Sequence, residues 1–215
     1  MKKQFKAEVK VKRNKSMVYQ QFLKKAFALY ITLFSFSAVA TDFEVSAFLG
    51  QMYSSDLTEV SADNTLSVDT GGNFGVAVAW QDSPNGQGQI MLNVVSHDFY
   101  SDTDNQNHSL DIMYAHFNGI AQFRQQNYVT TVSLGLGGAY FDSEVSEELY
   151  PSATVAFGTR YEFSDNVALF TEIRGYASLV DDADNMFCEN EICHAQFQDS
   201  LWIESNISIG IAIKF

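Results

Sequence analysis

The final stretch of the chain alternates too strictly and for too long to fit most folds. From Leu201 to Phe215, Leu201, Ile203, Ile207, Ile209, Ile211, Ile213 and Phe215 share one face, while Trp202, Glu204, Asn206, Ser208, Gly210, Ala212 and Lys214 share the other. Only Ser205 interrupts the apolar side. A period of two is the signature of a strand, because successive side chains point to opposite faces. Globular strands typically run about 5 to 6 residues, whereas a tilted membrane strand needs about 9 to 11. The segment predicts a membrane strand.

Seven further segments read the same way. Residues 43–53, 72–81, 128–141, 152–163 and 166–180 set Val, Leu, Ile and aromatic residues on one face against Gly, Ala, Ser and charged residues on the other. Segments 89–100 and 108–123 alternate more weakly, and their outward face stays open. The smaller and more polar face suits a narrow lumen, and the apolar face suits lipid. A soluble barrel would reverse that preference. Beyond residue 40 no apolar run approaches the ~20 residues a spanning helix needs. The expected fold is therefore all-β, an eight-stranded antiparallel up-and-down transmembrane β-barrel occupying 41–215.

The first forty residues belong to a different class. Lys2, Lys3, Lys6, Lys10, Lys12, Arg13, Lys15, Lys24 and Lys25 precede an uncharged stretch from Ala26 that ends in Ala38-Val39-Ala40. A basic region, a short apolar region and an A-x-A site in that order predict a secretory signal cleaved between Ala40 and Thr41. Met17 opens a more compact version of the same signal and is the expected true start. Removing 1–40 leaves Arg124, Arg160, Arg174 and Lys214 against 25 carboxylates, a net charge of −21. Such a chain is unsuited to nucleic acid, whose phosphates need cations.

Connection lengths and aromatics give independent support. Short turns are expected at 82–88, 124–127 and 164–165, and longer loops at 54–71, 142–151 and 181–200, with a modest one at 101–107. Alternating short and long connections place turns on the periplasmic side and loops outside. With that topology Phe43, Trp80, Tyr128, Tyr161, Phe163 and Phe215 gather outward at the turn end, and Tyr53, Phe74 and Tyr140 near the loop end, as two interfacial girdles would.

The terminal SIGIAIKF, with Ile209, Ile211 and Ile213 leading to Phe215, is similar to the signal by which outer-membrane proteins are recognised for assembly. Together with YEFSDNVALFTEIRGY at 161–176, it resembles the OmpA/OmpX-like family of small outer-membrane β-barrels. The resemblance implies the outer membrane of a Gram-negative bacterium, with outer-membrane lipids, lipopolysaccharide and the assembly machinery as partners, and a monomer.

Candidate chemistry is concentrated in three places. Inward charges Glu44, Arg160, Glu162, Glu172, Arg174, Glu204 and Lys214 are expected to form a lumen network, with Glu44 beside Lys214, Arg160 within about two positions of Glu172, and Arg174 meeting Glu204. The loops are acidic throughout, and the D-x-D of Asp102 and Asp104 lacks the Gly and distal Glu of a calcium loop. Cys188 and Cys193 sit together in the last loop, where an oxidising compartment favours a disulfide. A C-x₄-C metal site with His194 lacks obvious further ligands. His97, flanked by Ser96 and Asp98, and His108 beside Ser109 do not form catalytic sets, because strand neighbours point apart. No cofactor or metal is expected. The reading is a non-enzymatic integral outer-membrane barrel with a membrane-structural or surface-interaction role; a narrow porin-like channel comes second and a lipid-modifying enzyme third.

Overall fold

The computed structural model describes residues 43–58, 65–101, 106–143, 145–181, 188–189, 192–193 and 196–215. The expected signal, its Ala40/Thr41 cleavage site and the alternative start at Met17 lie outside the described residues. Eight long strands follow: β1 Phe43–Ser54, β2 Gly71–Ser83, β3 Gly86–Ser101, β4 Gln106–Gln125, β5 Tyr128–Ser143, β6 Glu147–Glu162, β7 Val167–Leu179 and β8 Leu201–Lys214. Each pairs antiparallel with its sequence neighbours, and β8 returns to pair with β1, closing the barrel. Closure extends to the last residue, whose amide donates to the Phe43 carbonyl at 2.8 Å.

The register fixes the geometry. A row of partners leaves β1 at Phe43, passes Trp80, Gly88, Gly119, Leu134, Val155, Gly175 and Ser205, and returns to β1 at Tyr53, ten residues farther on. At ~3.3 Å per residue and ~4.8 Å between strands, that shear tilts eight strands by about 40°. The climb from Phe43 to Tyr53 then spans about 25 Å of barrel axis, the height of the apolar band on an outer-membrane barrel.

Burial follows the alternation. In β8 every apolar odd residue from Leu201 to Ile213 is exposed and every even one from Trp202 to Ala212 is buried. The two weak segments resolve too: Ile90, Leu92 and Val94 of β3 and Met113 and Phe117 of β4 face out, while Asn93, His97, Tyr114, His116 and Asn118 face in. At the turn end, outward rings pair as a girdle. Tyr128 and Tyr161 lie 5.1 Å apart, Tyr161 and Phe163 4.9 Å, and Trp80 and Phe117 5.7 Å.

Connections at both ends are shorter than expected, and the turn expected at 82–88 closes to the two residues between Ser83 and Gly86. The loop expected at 142–151 shrinks to the residues between Ser143 and Glu147, because β5 and β6 continue pairing through Asp142↔Glu147. Exposed strand ends carry enough polar residues to read as loop, although their backbone pairing is complete. At the opposite end, Gln126 takes φ 52° in the tight turn between β4 and β5. That position in a two-residue hairpin commonly favours glycine.

Candidate functional site

The lumen is layered along its axis. At the loop end, residues from five strands and two loops form an apolar plug. Trp202, Phe141, Phe99, Leu110 and Met52 are all at most 2 % exposed. A three-stranded cap of Gln196–Phe197, Leu57–Thr58 and Thr65–Leu66, drawn from the first and last long loops, lowers Phe197, Leu57 and Leu66 onto it. Phe197 packs edge-on against Trp202 at 5.6 Å and Phe141 at 6.0 Å. Edge-to-face packing of this kind adds about 0.5 to 1.5 kcal/mol per pair beyond area burial.

Directly beneath lies a polar layer organised by Glu204, which is fully buried. His97 Nε2 meets Glu204 Oε1 at 2.7 Å, Tyr114 donates its hydroxyl to Oε2, and His97 Nδ1 faces the Asp69 carbonyl at 2.8 Å. Nδ1–H donates to the Asp69 carbonyl, and Nε2 shares a proton with the Glu204 carboxyl. His97 thereby ties the first loop to the barrel wall. An amide chain continues the layer: Asn206 donates to Asn73 at 2.7 Å, Asn73 to Asn93 at 2.9 Å, and Asn93 to the Tyr176 hydroxyl at 2.8 Å. Tyr114 and Tyr176 stack at 4.3 Å, with His116 against both.

The middle of the lumen is built by alternating large and small side chains. Phe48 is registered beside Gly75 and Gly210, and Gly210 beside Phe170. A Cβ on Gly75 would lie 2.1 Å from the Phe48 ring, so glycine is what lets that ring lie flat across the interior. Phe48 and Phe170 meet edge-on at 6.4 Å.

Toward the turn end the interior becomes ionic. Arg160 makes two bonds to Glu44, at 3.0 and 2.7 Å, with both side chains almost fully buried. Glu162 receives Lys214 at 2.8 Å and Arg124 at 3.1 Å at the rim. A cavity of about 480 Å³ opens here, lined by Glu44, Gln81, Gln87, Arg124 and Lys214.

The expected charge network is rewired in its partners. Glu44 and Lys214 are registered opposite one another, yet Lys214 turns to Glu162 because Arg160 reaches Glu44 from across the barrel. Arg160 does not pair with Glu172: the register sets Gly158 against Glu172, and Arg160 takes Glu44 instead. Nor does Arg174 meet Glu204. Its register partner in β8 is Asn206, its guanidinium holds Glu172 at 2.7 Å, and Glu204 is claimed by His97 and Tyr114. His97 points inward while Ser96 and Asp98 point out, which separates those neighbours. The sequence reasoning missed the aromatic plug and the roles of His97, Tyr114, Tyr176 and Trp202. The signal was present as bulky residues on the inward parity of several strands, concentrated at their loop ends. Cys188 and Cys193 stand directly opposite each other in a two-residue antiparallel pair. Ile209, Ile211 and Ile213 lie outward on β8.

No family model matches the chain, and no curated protein matches it by sequence. Its barrel is similar to solved structures. Neisserial surface protein A aligns with a TM-score of 0.53 at 13 % identity, covering 80 % of this chain and 97 % of that one. The outer membrane protein OprG from Pseudomonas aeruginosa aligns at 0.54 and 10 % identity, covering 82 % and 96 %. Outer membrane protein AlkL, solved in lipid bilayers, aligns at 0.52 and 15 % identity, covering 83 % and 92 %. Together with the closed eight-strand register, these likenesses establish the fold of a small outer-membrane β-barrel.

Proposed function

We propose that this protein is an integral outer-membrane protein of a Gram-negative bacterium whose barrel is a sealed, non-enzymatic scaffold, with its acidic loop end turned outward for surface contacts. The observation that carries this reading is the packed plug of Trp202, Phe141, Phe99, Leu110 and Phe197, contiguous with a cap woven from two loops. A conducting pore needs an open path, and a dry aromatic cluster of this kind costs several kcal/mol to disrupt. The apolar outer wall and the fold likeness support a membrane location. Lipids and lipopolysaccharide contact the wall, and the terminal strand through Phe215 is the segment offered to the assembly machinery. A disulfide between Cys188 and Cys193 closes the tip of the last loop.

The test combines two measurements. Folded protein in vesicles should change mobility on SDS gels when boiled, and in planar bilayers it should be electrically silent. Steady conductance from the unmodified protein would overturn the sealed-scaffold reading.

A narrow channel is the second reading, favoured by the 480 Å³ cavity at the turn end and by buried Ser133, Gln122 and Ser208 atoms that meet no protein partner among the described residues. Under that reading Trp202→Ala raises conductance by loosening the plug. Under the scaffold reading it lowers stability by about 3 to 5 kcal/mol and leaves the bilayer silent.

A further inference from the structure

On the outer wall the register lays two neighbouring rows of contrasting chemistry. One outward row runs Leu49, Phe74, Val94, Met113 and Tyr140 across β1 to β5. The next row toward the loop end contains Gly72 in β2, then Ser96, Asp111, Asp142 and Glu147 in β3 to β6. A groove of about 720 Å³ spans both rows, apolar below and bounded above by Asp111 and Asp142. Gly72 keeps it open, since a Cβ there would meet nothing within 4 Å.

The upper row is unusual in its charge. Asp111 and Asp142 are direct cross-strand partners, as are Asp142 and Glu147, and like charges directly opposite repel. Tyr140 donates its hydroxyl to Glu147. Beyond residue 40 the chain's four cations lie elsewhere: Arg160 and Arg174 are buried in the lumen, and Arg124 and Lys214 pair with Glu162 at the turn end. No Lys or Arg among the described residues neutralises that row. Among the described residues no group of three His, Cys, Asp or Glu converges as a metal site requires. An apolar groove under a carboxylate pair is complementary instead to a cation with its own hydrocarbon body.

We infer that this groove binds a membrane lipid whose headgroup carries a primary amine. The acyl chain lies against Phe74, Val94 and Met113, and the ammonium sits between Asp111 and Asp142, one row beyond Tyr140 at the level of the headgroups. The inference rests on the membrane reading above, because only a wall facing lipid presents the groove to such a ligand.

The experiment uses the folded protein in phosphatidylcholine vesicles doped with spin-labelled phosphatidylethanolamine or phosphatidylglycerol, with lipid association read by electron paramagnetic resonance. The ethanolamine lipid should associate about fivefold more strongly, the scale of one surface ion pair. Asp111→Asn with Asp142→Asn should bring that ratio close to one. Gly72→Trp, which fills the groove, should reduce association of both lipids without altering heat-modifiability. Equal association of the two lipids, a preference that survives the double substitution, or a calcium-dependent preference for phosphatidylglycerol would each overturn the proposal. If the boiled and unboiled protein migrate alike, the membrane reading fails first and takes the lipid site with it; a normal shift with no headgroup preference refutes the lipid site alone.

Discussion

Replacing Arg160 with methionine tests the ionic layer at its most buried point. Arg160 and Glu44 are joined by two bonds of 3.0 and 2.7 Å, with side-chain exposures of 7 and 8 %. Removing the guanidinium leaves a carboxylate in the lumen without its partner, which costs about 3 to 5 kcal/mol when a buried pair is broken from one side. Part of that loss returns if Lys214, registered opposite Glu44, leaves Glu162 and swings inward. Arg160→Met combined with Lys214→Met therefore exposes the full penalty. Glu44→Leu with Arg160→Met removes both charges at once and should cost only about 1 kcal/mol, because well-packed apolar replacements of a buried pair are close to neutral. The assay is urea unfolding in lipid vesicles, followed by tryptophan fluorescence and by the heat-modifiable band, with the slope m compared across variants so that a midpoint shift reads as stability. A coupling of at least about 2 kcal/mol between the two sites is expected. The reasoning is refuted if the Arg160→Met loss is below about 1 kcal/mol or if the double variant simply adds the two single losses.

Three further perturbations probe other layers. Gly75→Ala should destabilise the barrel by about 1 to 3 kcal/mol through overpacking against the Phe48 ring, and Phe48→Leu in the same chain should restore part of it in the same unfolding assay. His97→Gln removes the imidazole bonded to Glu204 and releases the Asp69 carbonyl; the Asp69 amide, bonded to the Asp98 carbonyl at 2.8 Å, should then exchange its hydrogen at least about tenfold faster in deuterium. Gln126→Gly should stabilise the barrel by a few tenths to about 1 kcal/mol, since the φ of 52° imposes a left-handed backbone on a side-chain-bearing residue; no change in urea midpoint would show that the turn bears no strain.

Much of the architecture was legible because the outer wall obeys one simple rule. Residues such as Ile207, Ile209 and Ile211 all stand exposed on the outer wall, so parity alone assigns them. The interior obeys no comparable local rule. Glu204 reads from sequence as a charge one step along from Arg174, whereas its partners His97 and Tyr114 come from β3 and β4 across the lumen. Nothing in the spacing of those residues encodes a contact made through the middle of a closed ring. The same limit applies to Arg160, which ignores the adjacent Glu172 for Glu44 on the far wall. β3 and β4 alternated weakly because Met91, Val95, Leu110 and Ile112 are apolar residues on the inward face, part of the buried core. What looked like poor amphipathicity was the local trace of a core.

The cap also has a consequence for the order of assembly. Its two halves, Leu57–Thr58 and Gln196–Phe197, come from the connections after β1 and before β8, the two strands whose pairing closes the ring. Contacts so distant along the chain carry a loop-closure cost that is repaid only after the ring has formed. The interior should accordingly remain hydrated while the hairpins are added and dry only at the end, with burial of the Trp202 indole lagging behind the appearance of strand structure. In this protein the seal is the last event of folding and cannot act as its nucleus.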